Sequence, residues 1–260
     1  MADGNPKAIR KLEGQKTMLG RTMHGIAYDP VNDEFIVPQP FAQAVLVFRG
    51  DANGEVAPVR YIQGPKTMLS NPDKLEVDPV HNEIFVPDDQ GILVFSRTAN
   101  GNVAPLRVMK PPADVGIDAV AVDPVHDVVI ATNPRGTPRE KYPRVLILDR
   151  SGDGEVEIKG VIGGPKTMIT GTFGVRAIPQ SGLFLLAMNG PVWSGPVDEA
   201  FVGVWSIHDN GEVPPRWTIG GPYQALKQPR GMDLDFKNKN VIISDKVLNA
   251  ILTYHFPEIF

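Results

Sequence analysis

The sequence contains no cysteine, no long apolar run and no excess of basic residues. The absence of cysteine excludes disulfide bonds and thiolate metal sites, although it leaves the cellular compartment open. No apolar segment approaches the roughly 18 residues that a membrane-spanning helix needs, and the N-terminal residues contain no apolar signal core. The formal net charge is -4, without clustered lysine or arginine, so nucleic acid is not expected as a partner.

Glycine and proline are abundant by contrast, with 26 and 25 residues among 260, and both are spread along the chain. Residues of these two types interrupt regular structure, so this composition favours many turns and few long helices. Hydrophobic residues make up 42% of the chain, which is enough for a large core.

A short turn sequence recurs along the chain. The motif Gly-Pro-Lys-Thr-Met has its lysine at Lys66 and Lys166, and a variant has it at Lys16. A second marker, an Asn-Gly or Asp-Gly turn, appears five times, with its glycine at Gly4, Gly54, Gly101, Gly154 and Gly211. The period of roughly 50 residues indicates a fold built by repeating one supersecondary unit. We interpret the lysine turn as a single helical turn that connects units, and we assign it no chemical role.

Each repeat contains four short segments of β-forming residues separated by turns. In the second repeat these are KLEVDPV (74–80), EIFVPD (83–88), ILVFS (92–96) and APLRVM (104–109). Four antiparallel strands in a unit of this length are typical of a propeller blade. The sequence therefore predicts an all-β fold, a single β-propeller domain of five blades over residues 1–260.

The chain starts within a repeat, at the fourth-strand copy KAIRKLEG (7–14), and ends after a third-strand copy, AILTYHF (250–256). We therefore predict that the N-terminal strand joins the last blade and closes the ring. Closure would remove exposed strand edges, which otherwise promote aggregation.

The blade sequences resemble a known superfamily. GIAYDPVNDEFIV…AVLVF (25–48) and DKLEVDPVHNEIFVPDDQGILVF (73–95) are similar to the NHL-type blade and to gluconolactonase-like enzymes. Those families usually have six blades, so six blades is the alternative to the five that we count. The resemblance implies a divalent cation, such as calcium, held in the channel by carboxylate and asparagine oxygens, with no ligand assigned individually.

Propellers place the first strand of each blade at a central channel, where ligands usually bind. Alignment of the repeats on the Asp-Pro pair after this strand gives five equivalent entrance positions, namely His24, Asp73, Asp118, Phe173 and Arg230. Four of them are ionisable. His24 is a candidate general acid or base with Asp73 and Asp118 beside it, and Arg230 is a candidate clamp for an anionic substrate. The alternative is that these residues form a structural plug of hydrogen bonds and ion pairs.

A second ring of polar residues lies at the end of the second strand of each blade. Its members all carry a side-chain oxygen and are Gln39, Asp88, Asn133, Asn189 and Asp245. Such oxygens are the ligands that hard cations prefer, so Asp88, Asn133, Asn189 and Asp245 are candidate metal ligands. The competing interpretation is turn capping, because Asp and Asn often bond to nearby backbone groups at strand ends.

Two blades carry long insertions after the second strand, at 133–144 and 189–201. Long loops in compact folds are often functional. Polar and aromatic side chains of these loops are candidate substrate-binding residues, namely Arg135, Arg139, Tyr142 and Trp193. Gln39 of the second ring is a further candidate. The alternative for the loops is a proline-stiffened cap or an interface with another protein.

The common catalytic motifs for serine hydrolases, zinc peptidases and nucleotide-binding enzymes are absent from the sequence. Three functions stay open. The first is a propeller that binds a small molecule or a protein at a polar channel site. The second is a metal-assisted hydrolase or lyase acting on a lactone, an ester or a sugar-like substrate. The third is a repeat-built surface module that assembles with other subunits. Whether the protein is an enzyme is therefore not decided by the sequence.

Overall fold

A computed structural model of the chain describes residues 4, 7–21, 23–112, 115–134, 142–189, 200–220 and 225–260. Within these residues the regular structure consists of β-strands and single 3-10 turns, without an α-helix. None of the helical segments described has the length and hydropathy to cross a bilayer. The strands form five successive sheets arranged as the blades of a five-bladed β-propeller, which confirms the predicted fold class and the count of five.

Within each blade, consecutive antiparallel strands run from an inner strand to an outer strand. The first two blades contain β1 (Ala27–Asp29), β2 (Glu34–Gln39), β3 (Ala44–Arg49), β4 (Arg60–Gln63), β5 (Glu76–Asp78), β6 (Glu83–Asp88), β7 (Gly91–Ser96) and β8 (Arg107–Lys110). The third contains β9 (Ala119–Asp123), β10 (Val128–Asn133), β11 (Arg144–Asp149) and β13 (Ile158–Gly163), whereas the two-residue strand β12 (Gly154–Glu155) pairs in parallel with β8 of the second blade. The last two contain β14 (Thr172–Ile178), β15 (Leu183–Met188), β16 (Phe201–Ser206), β17 (Trp217–Gly220), β18 (Pro229–Asp235), β19 (Asn240–Asp245) and β20 (Ala250–His255).

The N-terminal segment closes the ring at the fifth blade. Leu12 makes a parallel bridge to Gly54, and the Gly54 amide donates to the Lys11 carbonyl at 2.7 Å. The outer strands β4 and β13 make the same bridge to the next blade, from Ile62 to Gly101 and from Ile162 to Gly211. Leu12 therefore takes the outer position of the last blade, as predicted, although the described residues show no β-ladder between this segment and β20.

Apolar side chains fill the spaces between neighbouring blades. In β6, Ile84 and Val86 pack towards the first blade, while Phe85 packs towards the third. Alternation of this kind places apolar residues on both faces of one sheet. It explains why the strand sequences are continuous apolar runs instead of alternating apolar and polar residues.

The repeated lysine turns are 3-10 helices at Gln15–Thr17, Pro65–Thr67 and Pro165–Thr167, and further 3-10 turns lie at Pro40–Ala42 and Pro257–Ile259. In each copy the threonine is fully buried, and its hydroxyl donates to the carbonyl of the glycine three residues earlier; the Thr67 bond measures 2.7 Å. The lysine immediately before the threonine is exposed in each copy. The three copies therefore share a threonine cap that holds the turn, which agrees with the structural role that we predicted.

Buried glutamate–arginine clusters join adjacent blades. Glu34 of the first blade accepts hydrogen bonds from Arg60 at 2.6 Å and from Arg97 of the second blade at 2.9 Å. Hydrogen bonds from Arg60, together with both positive charges, hold the pKa of Glu34 below its usual value against the effect of burial. Glu83 occupies the equivalent position in the second blade. These clusters fix the angle between blades and so support the geometry of the channel.

A candidate ligand site at the mouth of the central channel

The inner strands of the five blades converge on one cavity of about 2400 Å³. Its lining includes every entrance residue that the repeat alignment identified: His24, Asp73, Asp118, Phe173 and Arg230. The structure therefore brings together side chains that lie far apart in the sequence, with 206 positions between His24 and Arg230. Their chemical roles remain predictions.

Two glycines allow the inner strands to approach closely at this end. A Cβ atom on Gly25 would lie 2.9 Å from the Lys74 Cα, and one on Gly174 would lie 3.2 Å from the Arg230 carbonyl oxygen. Both separations are tighter than ordinary contacts with a Cβ atom, and both involve backbone atoms that have little freedom to move. Glycine at these positions therefore permits side chains of neighbouring blades to meet.

Two charge pairs connect adjacent blades at the entrance. The His24 Nδ1 atom lies 2.6 Å from the Asp73 Oδ1 atom, and the Lys74 ammonium group donates to Asp118. The His24 side chain is 58% exposed, whereas that of Lys74 is 12% exposed. Lys74 was not among the predicted site residues, because it lies one position after the aligned entrance residue and no other repeat has a charged residue there.

Arg230 stacks on an aromatic ring at the same mouth. The centre of its guanidinium group lies 3.9 Å from the centroid of the Phe173 ring, and the Lys74 Nζ atom lies 5.6 Å from that centroid. A cation over the face of an aromatic ring is attracted by the negative potential of that face. Burial lowers the pKa of Arg230, an effect that the negative charge of Asp118 opposes. The result is a partly buried, oriented cation beside the cavity.

A second layer of charges lies three residues farther along the inner strands. Arg176 contacts Glu76 at 3.3 Å and Asp233 at 3.6 Å, so one arginine links the inner strands of three blades. Burial raises the pKa of Glu76, and the charge of Arg176 opposes this shift. Sequence analysis missed this layer. The available signal was a charged residue at the position that alanine occupies in the first and third blades, Ala27 and Ala121.

The predicted metal-binding ring has a different role at its charged members. Asp88 accepts hydrogen bonds from the amides of Ser70 at 3.0 Å and Asn71 at 3.1 Å. Asp245 accepts from the amides of residues 227, 228, 247 and 248, and these bonds outweigh the effect of burial and lower its pKa. Gln39 accepts from the Phe41 amide at 3.0 Å. These contacts correspond to turn capping, the alternative that we kept for this ring.

The two asparagines of this ring are also buried, with Asn133 at 1% and Asn189 at 5% exposure. In the part of the chain that the structure describes, no group of three or more histidine, aspartate or glutamate side chains is arranged to hold a metal ion. Metal binding by Asp88, Asn133, Asn189 and Asp245 therefore stays a hypothesis without support from the geometry of the two carboxylates.

The long loops are only partly described. Tyr142 lines the cavity and is exposed, and its role in ligand binding stays a prediction. Arg135, Arg139 and Trp193 lie outside the described residues. Gln39 is buried, and its amide nitrogen donates to the Met18 carbonyl at 3.3 Å, so its side chain is engaged in holding the local turn.

Comparisons with known proteins give the fold and no family. No family model matches the chain, and no curated protein matches it either. Among solved structures, the hydrazine synthase of Kuenenia stuttgartiensis is similar, with a TM-score of 0.61, 14% sequence identity and 90% of this chain covered. This chain matches 65% of that chain, slightly less than two thirds of its length. In all, 766 solved chains match, so the likeness supports the β-propeller architecture and does not select a function.

Proposed function

We propose that this protein binds a small hydroxylated carboxylate at the mouth of its central channel. The observation that carries the proposal is the Arg230 guanidinium group, held 3.9 Å above the Phe173 ring beside the cavity. An arginine that stacks on a ring through its face keeps its N–H donors in the plane of the guanidinium group, where they match the two oxygens of a carboxylate. Burial around this cation also reduces screening by water and strengthens its attraction to an anion.

The neighbouring charge pairs favour hydroxyl groups on the same ligand. Asp73 and Asp118 are acceptors, and they are paired with His24 and Lys74. A hydroxyl group both donates and accepts, so it can bond to the hydrogen-bonding capacity that each pair retains, whereas the chain of an unsubstituted fatty acid cannot. Because the site offers both donors and acceptors, we expect it to bind a polar, oxygen-rich molecule instead of an apolar one.

The cavity volume limits how the ligand sits. At about 2400 Å³ the cavity exceeds the ~300–1,000 Å³ of typical small-molecule pockets. A small ligand would therefore occupy part of it, and the Arg230–Phe173 stack identifies which part. The remaining volume would admit a larger ligand or the side chains of a protein partner.

The alternative function is a hydrolase or lyase acting on a lactone, an ester or a sugar-like substrate. The 2.6 Å contact between His24 and Asp73 favours it, because a carboxylate that orients an imidazole is a common arrangement for proton transfer. The metal-assisted form is tested by elemental analysis combined with a chelator thermal-shift assay. A stoichiometric divalent ion, with a melting temperature that falls on chelation, would favour the metal-assisted enzyme over simple binding.

Isothermal titration calorimetry with gluconate, glycerate and lactate tests the binding proposal. These carboxylates carry progressively fewer hydroxyl groups, so affinity should fall in that order. Arg230→Met should weaken gluconate binding by roughly tenfold or more, which corresponds to the loss of about 1.4 kcal/mol or more from a charged hydrogen bond.

Arg49→Met is the matched control, since Arg49 is an exposed arginine paired with Asp51 outside the cavity lining. We expect this variant to retain the wild-type affinity. Equal affinities for wild type and Arg230→Met, or no binding of any of the three carboxylates, would contradict the proposal.

A further inference from the structure

Among the described residues of the fourth blade, three side chains have buried polar atoms without a hydrogen-bond partner. They are the hydroxyl groups of Thr170 and Thr172 and the amide group of Asn189, both of whose polar atoms are unsatisfied. Thr172 is 2% exposed and Asn189 is 5% exposed. Buried polar groups are nearly always hydrogen-bonded, so a cluster of unsatisfied ones calls for a physical explanation.

These groups lie next to the Arg230 stack. Thr170, Gly171 and Thr172 line the cavity immediately before Phe173, and the Asn189 backbone amide donates to the Gly171 carbonyl at 3.2 Å. The cluster is therefore anchored at the same mouth as the proposed carboxylate site.

The corresponding residues of the second blade bond to one another. There Asp88, which aligns with Asn189, accepts from the amides of Ser70 and Asn71 and from the hydroxyl group of Ser70, which aligns with Thr170. Thr172 aligns with Pro72, so its hydroxyl group is an addition of the fourth blade. The second blade shows how such groups can be satisfied internally, and the lack of these internal bonds among the described residues distinguishes the fourth blade.

We infer that Thr170, Thr172 and Asn189 form the part of the site that binds the hydroxyl groups of the ligand. Threonine hydroxyl and asparagine amide groups each donate and accept, and they carry no charge, so they match adjacent hydroxyl groups better than they match a second anionic group. A ligand would supply the partners that the free protein lacks. The free energy of these hydrogen bonds would then contribute to binding without the loss of earlier bonds in the protein. This inference rests on the proposed function, in which Arg230 holds the carboxylate end.

The first test needs no ligand and compares two threonines under one substitution. Thr132 is also buried, but its hydroxyl group accepts from the Ala119 amide at 3.1 Å and bonds to the Ala119 carbonyl at 3.3 Å. Thr132→Val should lower the melting temperature, because it leaves backbone groups without partners. Thr172→Val should leave the melting temperature unchanged or raise it, because it removes a buried hydroxyl group that has no partner. An equal fall in both variants would show that Thr172 is satisfied internally, for example by a structural water, and would overturn the inference.

The second test measures gluconate binding by calorimetry. Thr172→Val should weaken gluconate binding roughly tenfold, the equivalent of about 1.4 kcal/mol and of the order expected for one buried hydrogen bond. Asn189→Leu, which removes the amide at similar volume, should weaken it at least as much. Propionate, a carboxylate without hydroxyl groups, should bind wild type and Thr172→Val alike.

The outcomes separate this inference from the proposed function. Gluconate affinity that depends on Arg230 and is unchanged in both Thr172→Val and Asn189→Leu would overturn the inference and leave the proposed function standing. Absence of gluconate binding to the wild type would overturn both. A selective loss in the two blade-four variants, with the melting temperature of Thr172→Val maintained, would support the inference.

Discussion

Arg176 links the inner strands of three blades, and its replacement gives the sharpest test of how the channel is stabilised. Arg176→Met removes the positive charge that lies 3.3 Å from Glu76 and 3.6 Å from Asp233. The Glu76 side chain is only 16% exposed, so the variant leaves a carboxylate in a poorly solvated position. Removing one member of a buried ion pair usually costs several kcal/mol, because the remaining charge is uncompensated.

We expect Arg176→Met to lower the free energy of unfolding by less than the loss of a fully buried ion pair does. Arg176 is 25% exposed, and water therefore screens part of the interaction. We estimate a loss of about 2–3 kcal/mol at pH 8 from the 3–5 kcal/mol typical of fully buried pairs. For a domain of this size, such a loss lowers the melting temperature by about 4–12 °C.

Glu76→Gln should behave differently. Burial raises the pKa of Glu76, so the folded protein binds a proton at this group more tightly than the unfolded chain does. The stability from Glu76 is therefore complete below the ordinary glutamate pKa and is lost as the pH rises through the raised folded-state pKa. Glutamine resembles the protonated acid and avoids this loss. We expect Glu76→Gln to be neutral or stabilising at pH 8, and Arg176→Met to be less damaging at pH 5 than at pH 8.

Urea unfolding followed by tryptophan fluorescence at the two pH values measures these differences, and the double variant completes a thermodynamic cycle. In the double variant, most of the cost of Arg176→Met should disappear, because no buried carboxylate remains. Arg49→Met serves as a control with an exposed ion pair, and its stability should match that of the wild type. If Glu76→Gln destabilises the protein as much as Arg176→Met at pH 8, the argument from burial is refuted.

Two further substitutions test the close approach of inner strands and the clusters between blades. Gly25→Ala should destabilise the protein by about 1–3 kcal/mol in urea unfolding, because the new Cβ atom would meet the Lys74 backbone. Gly116→Ala is the control and should have no effect, because open space surrounds Gly116. Equal stabilities of the two variants would contradict the packing argument. Burial raises the pKa of Glu83, but hydrogen bonds and charge from Arg107 outweigh the effect of burial, so the folded-state pKa is lowered. The stability that Glu83 contributes is therefore present above the ordinary glutamate pKa and is lost as the pH falls. Glu83→Gln should therefore cost about 1.5–3 kcal/mol at pH 7 and progressively less below about pH 4.3, and a cost that is independent of pH would contradict this assignment.

The repeat determines most of the fold that the sequence could predict. The interval between turn markers gave five blades, and continuous apolar runs such as residues 92–95 are explained by burial on both faces of each sheet. The KAIRKLEG segment has the fourth-strand pattern, and its Leu12 bridge to Gly54 matches the bridges that Ile62 and Ile162 make from the outer strands of other blades. The missing ladder to β20 could not be predicted, because a strand pattern does not fix the pairing of a short edge segment.

The sequence predicted site residues only at positions that could be aligned between the repeats. Alignment on the Asp-Pro pair, which is complete in three blades and keeps one of its two residues in the other two, gave five entrance residues that all line the cavity. Lys74 has no charged counterpart in the other blades, so comparison between repeats gives no signal for it. Glu76 and Arg176 stand where the first and third blades have alanine, but their opposite charges share no residue type that an alignment would highlight. Turn capping by Asp88 and Asp245 was one of the two interpretations that the sequence allowed, but the sequence did not identify the amides of residues 70, 71, 227 and 228 as the partners.

The most direct test of the central claim is a crystal structure of the protein grown with gluconate. The account predicts electron density for the carboxylate within hydrogen-bonding distance of Arg230, on the cavity side of Phe173, with hydroxyl groups directed towards Thr172 and Asn189. Density for gluconate at an unrelated surface, or a channel mouth that contains only water at a saturating concentration of gluconate, would contradict it.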